Sequence, residues 1–339
     1  MEILNLSKED LENVLLEHHF ERYRVRQIIK WIYSRLIYSF DKMTDLSKDH
    51  RIKLQDLFSI TPLKTPVIVS SADGTEKMVF ELDDGCEVES VIIPDQNRIT
   101  VCVSTQVGCP LKCSFCKTGT IGFKRDLSVR EITGQILKAS EYLSSKEKRI
   151  TNIVYMGMGE PLLNFDATVK SIKLLVDDDG LNFSNRKITV STVGIADKMV
   201  PLGELTGVNL AISLHAVTDE KRLKIMGVNG KYPISEILEA AIKYPAHHRK
   251  KVLIEYVMLK GFNDSLQDAK MLLKIARKIN AKVNLIPFNT FEGALFESTE
   301  RDDILKFQKL LMNGNITTTI RKSKGEHEFA ACGQLGRVS

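Results

Sequence analysis

The sequence has few cysteines and no long apolar segment. Six cysteines in 339 residues are too few for the disulfide framework of a small secreted domain. No run of 18 apolar residues occurs, which argues against a membrane-spanning helix. Residues 1–5 resemble neither a signal peptide nor a transit peptide. These absences predict a cytoplasmic protein, because thiols remain reduced in that compartment.

The composition is that of an ordinary globular chain with a mild positive charge. Hydrophobic residues make up 43% and charged residues 27% of the chain, whose length suits one large core and a small accessory domain. The net charge of +5 and the isoelectric point near 8.7 permit a nucleic-acid partner without requiring one. Composition alone therefore leaves the class of partner open.

Residues 1–62 predict a small helical accessory domain. Ser7, followed by acidic residues, is a typical helix start, and apolar stripes at helical spacing occupy about 22–36 and about 48–58. The polar side of the second helix carries four arginines and one lysine. Such a side is consistent with a solvated surface or with a local basic patch. Pro62 then indicates a linker.

Beyond this domain the hydrophobic period changes to that of strands. Runs at 77–82 and 86–93, joined by Asp83-Asp84-Gly85, predict a β-hairpin extension within 63–98. From 99 to 322, strands alternate with helices about six times, as in a parallel sheet with helical crossovers. The predicted fold class is α/β: a partial (β/α)6 barrel with the helical domain and the hairpin attached.

Three cysteines lie close together in a loop after the first barrel strand. Cys109, Cys113 and Cys116 have C-x3-C-x2-C spacing. Three thiolates can bind three irons of a [4Fe–4S] cluster and leave the fourth iron open to a small molecule, whereas four cysteines leave no such position. Zinc is the alternative, but it usually has four Cys or His ligands. The nearest further candidate, Cys102, is seven residues upstream, and the loop has no His.

Polar or glycine-rich residues follow most of the predicted barrel strands. Each taken alone has a plain structural explanation, such as a turn, a helix cap or a buried histidine. Their recurrence matters because the carboxyl ends of parallel strands meet at one rim, where ligands bind. Serine hydroxyls and asparagine amides suit polar ligand groups, and glycines allow close backbone approach. The candidate ligand-binding residues are Gly159, Glu160, Ser191, Ser213, Leu214, His215 and Asn289.

These motifs together resemble one enzyme family. C-x3-C-x2-C with Phe115 before the third cysteine resembles the signature of radical S-adenosylmethionine (SAM) enzymes. The similarity narrows to the RlmN/Cfr family of RNA methyltransferases and covers nearly the whole chain from Tyr23 onward. The motifs that carry this narrower resemblance lie at 157–164, 213–215, 284–289 and 330–335. The resemblance implies a [4Fe–4S] cluster held by the three cysteines, with SAM bound to the open iron.

A reaction with two SAM molecules and three catalytic side chains is implied by this resemblance. The first SAM methylates the Cys332 thiolate, and the second gives a 5′-deoxyadenosyl radical that removes a hydrogen from that methyl group. Cys102 matches the cysteine that resolves the resulting protein–RNA adduct. Glu89 matches the base that removes the ring proton, although strand alternation puts Glu87 on the same face as a competitor. Whether Cys332 is free, methylated or disulfide-bonded to Cys102 stays open.

Two products occur within the family. RlmN-type enzymes methylate C2 of adenosine in 23S rRNA and in tRNA, at the adenosine 3′ of the anticodon, whereas Cfr-type enzymes methylate C8 of the rRNA adenosine. Glu160 with Pro161, and residues 287–289, resemble the RlmN type. Lys117 departs from the family, which usually has Ala after the third cysteine. C2 methylation is therefore predicted. The alternatives are C8 methylation, activation of a glycyl-radical protein, and a metal-stabilised RNA-binding protein without catalysis.

Partners are implied by the same resemblance. They are 23S rRNA, tRNA and a reducing electron donor such as flavodoxin, with the enzyme itself a monomer. The segment 323–339 is expected to be a mobile loop that carries Cys332, because its glycines permit unusual backbone conformations. Basic side chains are expected to contact phosphates. The candidates are Lys112, Lys117, Lys124, Arg125, residues 247–251 and the N-terminal arginines.

Overall fold

The structure, a computed structural model, describes residues 1–245, 251–322, 324–325 and 330–336. Its strands are β1 (Val67–Ser70), β2 (Glu76–Glu81), β3 (Glu87–Asp95), β4 (Arg98–Cys102), β5 (Gln106–Gly108), β6 (Phe123–Asp126), β7 (Asn152–Tyr155), β8 (Ile188–Thr192), β9 (Asn209–Ser213), β10 (Leu253–Met258), β11 (Lys282–Pro287) and β12 (Thr318–Ile320). Its α-helices are α1 (Lys8–Glu17), α2 (Arg24–Ile29), α3 (Lys48–Leu57), α4 (Lys117–Thr120), α5 (Val129–Ser144), α6 (Phe165–Val176), α7 (Ala196–Thr206), α8 (Asp219–Ile225), α9 (Ile234–Lys243), α10 (Leu266–Lys278) and α11 (Arg301–Asn313).

The main sheet of the described residues has ten strands, and its parallel part is an open barrel. The spatial order is β1-β2-β3-β4-β7-β8-β9-β10-β11-β12, with β1 and β12 at the edges. Every neighbouring pair from β4 to β12 is parallel. At least one helix follows each strand of this part before β12. The predicted partial (β/α)6 barrel is confirmed, and β12 adds one further parallel strand.

The three strands before the barrel extend its sheet in antiparallel order. β2 and β3 are joined at the predicted turn, where Gly85 has a φ of +78°. The register places Lys77 opposite Val91, and Val91 opposite Cys102. Directly opposed residues share a face of the sheet, as do alternate residues along one strand. Lys77, Glu89 and Cys102 therefore lie on one face.

The N-terminal helices pack around a core that they share with the barrel. Leu15 and Ile28 belong to this core, and Val129 and Leu137 of α5 and Leu174 of α6 complete it. A helical N-terminal domain was predicted and is confirmed. Among the described residues, none of the helices is long and apolar enough to span a bilayer.

The second helix is shorter and less regular than the predicted span of 22–36. Regular α-helix ends at Ile29, and Lys30–Ser34 form a π-helical turn in which the Arg35 N–H donates to the Lys30 carbonyl at 3.0 Å. Leu36 then has a φ of +56°, which ends the helical path. The apolar pattern identified the buried face, but it carried no signal for this change of hydrogen-bond spacing.

Candidate active site

The cysteine loop is bounded by a small antiparallel ribbon, β5 and β6, that was absent from the sequence-based prediction. The Cys109 N–H donates to the Gly122 carbonyl at 3.0 Å, and the Cys116 N–H donates to the Cys113 carbonyl at 3.1 Å. Gly108 permits this closure, because its φ is +76° and a Cβ there would stand 1.7 Å from the Gly122 oxygen. Backbone geometry thus folds the loop back on itself and places its three cysteines around one cavity.

The three thiols of the loop line a cavity of about 940 Å³, including its open mouth. Burial raises the pKa of Cys109 to about 12, and it raises the pKa of Cys113 well above its ordinary value. Metal binding opposes this effect of burial on the thiol pKa, because a bound metal stabilises the thiolate. In the described part of the chain, no three His, Cys, Asp or Glu side chains converge as the ligands of a single ion would. Thiols spread around one cavity fit a [4Fe–4S] cluster, in which each thiolate binds its own iron.

The turn after β7 contributes a glycine and a buried carboxylate to the same cavity. Gly159 has a φ of +99°, and a Cβ there would stand 2.6 Å from the Cβ of Gln106. The Glu160 carboxylate accepts backbone N–H groups of Leu162 at 3.0 Å and Val193 at 2.9 Å. Burial raises the pKa of Glu160 to about 7. Glu160 therefore ties its own turn to the loop after β8, while the absence of a side chain at Gly159 lets the turn pack against Gln106 at the cavity wall.

Two predicted serines meet an unpredicted glutamate on the cavity wall. The Ser191 hydroxyl donates to Glu255 Oε2 at 2.8 Å, and the Ser191 and Ser213 hydroxyl oxygens are 3.3 Å apart. Glu255 is 4% exposed and lies within β10, the strand for which the sequence suggested no rim residue. Its signal was a single acidic residue in an otherwise mostly apolar strand. Ser191 and Ser213 are thus positioned through Glu255.

His215 lines the cavity as a neutral ring, whereas Leu214 does not line it. His215 Nδ1 accepts the Val257 N–H at 3.0 Å, and the ring meets Phe115 edge-on with centroids 4.8 Å apart. Burial lowers the pKa of His215 to about 3, and the nearby Arg222 charge adds to this shift. The Leu214 side chain is 1% exposed and belongs to the main core. Sequence reasoning placed both beside the ligand, and the structure brings only His215 to the cavity wall.

The C-terminal loop brings Cys332 to the cysteine cavity. Asn289 Nδ2 donates to the Cys332 carbonyl at 3.0 Å. The Lys117 N–H, directly after the third cysteine of the motif, donates to the Gly333 carbonyl at 2.7 Å. Cys332 and Asn289 both line the cavity with the three thiols. More than 200 residues of chain thus separate groups that the fold places side by side.

Cys332 also lines a second, smaller cavity, which contains Cys102. This cavity has a volume of about 540 Å³ and includes Arg321 on its wall. Both cysteines are free thiols. Burial raises the pKa of Cys102 to about 12. Burial also raises the pKa of Cys332, against the opposing effect of the Arg321 charge. The predicted pair of cysteines therefore shares one compartment.

Glu89 and Glu87 differ sharply in exposure. Glu89 is 2% exposed, whereas Glu87 at the start of β3 is exposed. Lys77 Nζ lies 3.2 Å from Glu89 Oε1, and the Gly336 N–H donates to Glu89 Oε2 at 2.7 Å. Sequence alternation could not separate the two glutamates. Burial and a direct contact with the Cys332 loop distinguish Glu89.

Comparison with known proteins places this arrangement in a family. The profile of the Radical SAM superfamily matches residues 103–273, and that of the ribosomal RNA large subunit methyltransferase N-terminal domain matches residues 1–60. A dual-specificity RNA methyltransferase RlmN of Geobacter sulfurreducens is 46% identical over 335 residues, covering 99% of this chain and 92% of that protein. The chain belongs to the RlmN family.

Two further proteins are similar to this RlmN-family chain over almost its full length. A dual-specificity RNA methyltransferase RlmN of Geotalea uraniireducens is 45% identical over 339 residues, covering 100% of this chain and 97% of that protein. The crystal structure of a radical SAM methyltransferase from Sphaerobacter thermophilus has a TM-score of 0.91 and 39% identity, covering 99% of both chains. Membership of the radical SAM superfamily implies a [4Fe–4S] cluster and SAM as cofactors.

The N-terminal arginines of this RlmN-family chain are largely paired with acidic side chains. Arg26 Nε lies 3.1 Å from Asp179 Oδ2, which belongs to the barrel. Arg22 and Arg24 contact glutamates of their own domain. These pairs neutralise much of the basic patch that the sequence suggested for phosphate contact.

The basic residues near the cysteine loop differ in whether they are free of acidic partners and exposed enough to contact RNA phosphates. Arg125 Nε lies 2.7 Å from Asp84 Oδ2, and the same guanidinium binds Glu131. Lys112 and Lys124 are exposed. Residues 247–250, also suggested for phosphate contact, lie outside the described residues. Exposed lysines of the loop region, more than its arginine, are therefore open to an RNA backbone.

Proposed function

We propose that the protein methylates C2 of adenosine in 23S rRNA and in tRNA, at the adenosine 3′ of the anticodon. The methyl group would travel through a methylated Cys332, with two SAM molecules used per turnover. The relatives named above are dual-specificity RNA methyltransferases, and this chain matches them over almost its whole length. The position of Cys332 on the walls of two adjoining cavities is the observation that carries the proposal.

The cysteine cavity is suited to both cofactors. Cys109, Cys113 and Cys116 would hold the [4Fe–4S] cluster, and when bound, the cluster and SAM supply the 5′-deoxyadenosyl radical. Backbone at Gly159 and the buried carboxylate of Glu160 are available to the amino-acid part of SAM. Hydroxyl and amide groups on the wall suit its carboxylate and ribose. The SAM-binding residues in this proposal are Gly159, Glu160, Ser191, Ser213, His215 and Asn289, and Leu214 is left out because its side chain lies in the main core.

Cys332 is well placed to act as the methyl carrier. Its carbonyl is held by Asn289, and its side chain borders the space expected to hold SAM. On its other side it borders the cavity that contains Cys102. A thiol at such a boundary can receive a methyl group on one side and meet a second thiol on the other. The methyl group would therefore pass from SAM to Cys332 and then to the ring. The ring carbon C2, which is not nucleophilic, would not have to attack SAM directly.

Cys102 and Glu89 would complete the reaction. Cys102 would attack the sulfur of Cys332, so that an S–S bond forms as the S–C bond to the RNA-bound methylene breaks. The electron pair of the S–C bond would go to the carbon, which gains a proton and becomes the methyl group of the released RNA. Glu89 would accept the proton from C2 of the ring. Glu89 is buried and contacts the Cys332 loop through Gly336, whereas Glu87 faces solvent. This exposure difference favours Glu89 as the base.

Several broader features belong to the same proposal. The domain of residues 1–62 would contact RNA, 63–98 would extend the sheet, and 323–339 would carry Cys332 to and from the barrel of 99–322. The enzyme would act as a cytoplasmic monomer, and a reducing protein such as flavodoxin would supply electrons. Glu160 with Pro161, and Pro287 with Asn289, favour C2 over C8 as the target carbon.

An anaerobic turnover assay tests the proposal. Protein with a reconstituted cluster would receive a reductant, methyl-labelled SAM and either RNA, and nucleosides would be resolved by mass spectrometry. We expect labelled 2-methyladenosine from both RNAs and none from Cys332→Ala. Cys86→Ala is the matched control, since Cys86 is a free, half-buried thiol away from both cavities, and it should retain activity. Formation of 8-methyladenosine would move the protein to the Cfr type. Absence of both 5′-deoxyadenosine and methylated base would overturn the enzymatic proposal.

A further inference from the structure

Glu89 is buried beside Lys77, a residue that takes no part in the reaction steps proposed above. Lys77 Nζ lies 3.2 Å from Glu89 Oε1, and the two side chains are 2% and 3% exposed. Lys77 lies in β2 and Glu89 in β3, and the strand register puts both side chains on the face that also carries Cys102. A lysine is rarely buried to this degree unless it is paired. The buried position of Lys77 on this sheet face is therefore explained by its ion pair with Glu89.

We infer that Lys77 is a positioning residue that holds Glu89 as a charged and oriented proton acceptor. This inference rests on the proposed function, because it assigns a partner to the proposed base. A carboxylate buried in an apolar sheet favours its protonated form unless a cation is close. A base must be ionised before it can act. In the proposed step Glu89 gains one proton from C2, the ring keeps the electron pair, and Lys77 keeps all its protons.

The remaining charges around Glu89 are more exposed than Lys77. Glu87 of the same strand, Lys117 of α4 and Lys124 of β6 line a groove together with Glu89. Glu87 and Lys124 are exposed and Lys117 is half-buried, so water and salt screen their charges more strongly. Lys77 is the fully buried cation in contact with the Glu89 carboxylate. Its removal should therefore disturb the Glu89 carboxylate more than removal of any of these three groups.

The backbone of Glu89 is fixed independently of Lys77. The Ser104 hydroxyl donates to the Glu89 carbonyl at 2.5 Å and accepts the Met158 N–H at 2.8 Å. Met158 belongs to the turn that also contains Gly159. The strand position of Glu89 is thus tied to the proposed SAM-binding turn. Lys77 acts on the carboxylate itself, so loss of Lys77 can change the charge and rotamer of Glu89 without moving the strand.

The second oxygen of Glu89 is occupied by the loop that carries Cys332. Gly336, whose N–H donates to Glu89 Oε2, has a φ of +119°, and a Cβ there would stand 2.8 Å from Ile121 Cδ1. A glycine is therefore required at this contact. With Lys77 on Oε1, Oε2 is the oxygen that would accept the proton, and this would require its contact with the Gly336 N–H to open. Lys77 holds the carboxylate in place during that exchange.

The test compares Lys77→Met, Lys77→Arg and Lys64→Met in the cluster-loaded full-length enzyme. Lys64 forms an exposed pair with Glu81 at 2.7 Å, so Lys64→Met removes a lysine from a Lys–Glu pair without touching the site. For Lys77→Met we expect about a tenfold loss of 2-methyladenosine formation at pH 7. Lys77→Arg should restore most of the rate, and Lys64→Met should match the unmodified enzyme.

Two further readouts separate positioning from loss of folding. Lys77→Met should still cleave SAM and should accumulate the covalent protein–RNA adduct, seen as a slow band on a denaturing gel. In a Glu89→Gln background, Lys77→Met should cost nothing further, because both changes remove the same function. A folded Lys77→Met enzyme that keeps the full rate or forms no adduct would overturn the inference, as would additive losses in the double variant. If Lys77→Met does not fold, Lys77→Gln replaces it in every arm. Failure of the unmodified enzyme to form 2-methyladenosine would instead overturn the proposed function itself.

Discussion

The Ser191 hydroxyl donates a hydrogen bond to Glu255 Oε2 at 2.8 Å, so a residue of the proposed SAM-binding rim is oriented by an acid buried in the next-but-one strand. Arg321 Nη1 lies 3.6 Å from the other oxygen of Glu255 and also borders the cavity of Cys102 and Cys332. The Glu255 carboxylate therefore contacts Ser191 on the wall of one cavity and Arg321 on the wall of the other. This link makes Glu255 important for stability as well as for the site.

Glu255→Gln should destabilise the protein by about 2 kcal/mol, because it leaves the Arg321 charge without its partner while preserving side-chain shape. Urea unfolding would measure the change in the free energy of unfolding. Glu81→Gln is the control, since Glu81 pairs with Lys64 at the surface and should cost less than about 1 kcal/mol. Equal effects of the two substitutions would contradict the proposed burial of the Glu255 charge.

Gly159→Ala should abolish SAM binding, because the backbone has a φ of +99° and the new Cβ would stand 2.6 Å from Gln106 Cβ. Equilibrium dialysis with labelled SAM would measure the loss in cluster-loaded protein. Gly261→Ala is the matched control. Gly261 also has a positive φ, +69°, but nothing lies within 4 Å of its Cβ position. That variant should lose about 1 kcal/mol of stability and bind SAM normally. Normal SAM binding by Gly159→Ala would show that the turn can shift.

Cys102 should resist alkylation at neutral pH, because burial raises the pKa of its thiol to about 12. The thiolate is the reactive form, and below that pKa its fraction rises about tenfold for each pH unit. Iodoacetamide treatment of the folded protein between pH 7 and 9, followed by peptide mass spectrometry, would show Cys86 modified well before Cys102. Cys102 should react faster as the pH increases. Equal rates for the two cysteines at pH 7 would refute the burial of Cys102.

Leu137→Ala should weaken the attachment of the N-terminal domain to the barrel. Leu137 is 1% exposed and packs in the core shared by the two parts. Truncation of a buried leucine costs about 3 kcal/mol. We expect a lower urea midpoint and faster limited proteolysis within residues 1–60. Leu205→Ala, at a position that is 49% exposed, should change neither measurement appreciably.

Much of the fold was predictable because its signals are local. Apolar spacing of two or of about 3.6 residues identifies strands and helices, and their alternation indicates a parallel sheet. The turn at Gly85 was likewise readable from three residues. The π-helical turn at Lys30–Ser34 and the β5–β6 ribbon were not, because each depends on hydrogen bonds that apolar spacing does not encode.

The partners of charged residues could not be predicted in the same way. Arg26 contacts Asp179, and Arg125 contacts Asp84. From sequence, these arginines looked available for RNA, because an acid far along the chain is invisible to local patterns. The pairing of Lys77 with Glu89 was hidden for a related reason. It depends on the strand register, which the sequence suggests only loosely.

The sequence by itself determined the chemistry that this protein offers. Cysteine spacing is a covalent property, so Cys109, Cys113 and Cys116 are close together in any compact fold of their loop. Tertiary structure alone decided where Cys332 lies, that Glu89 rather than Glu87 is buried, and that Glu255 faces the cavity. Those outcomes depend on strand register and long-range packing, which are set by the free energy of the whole core and not by neighbours in the chain.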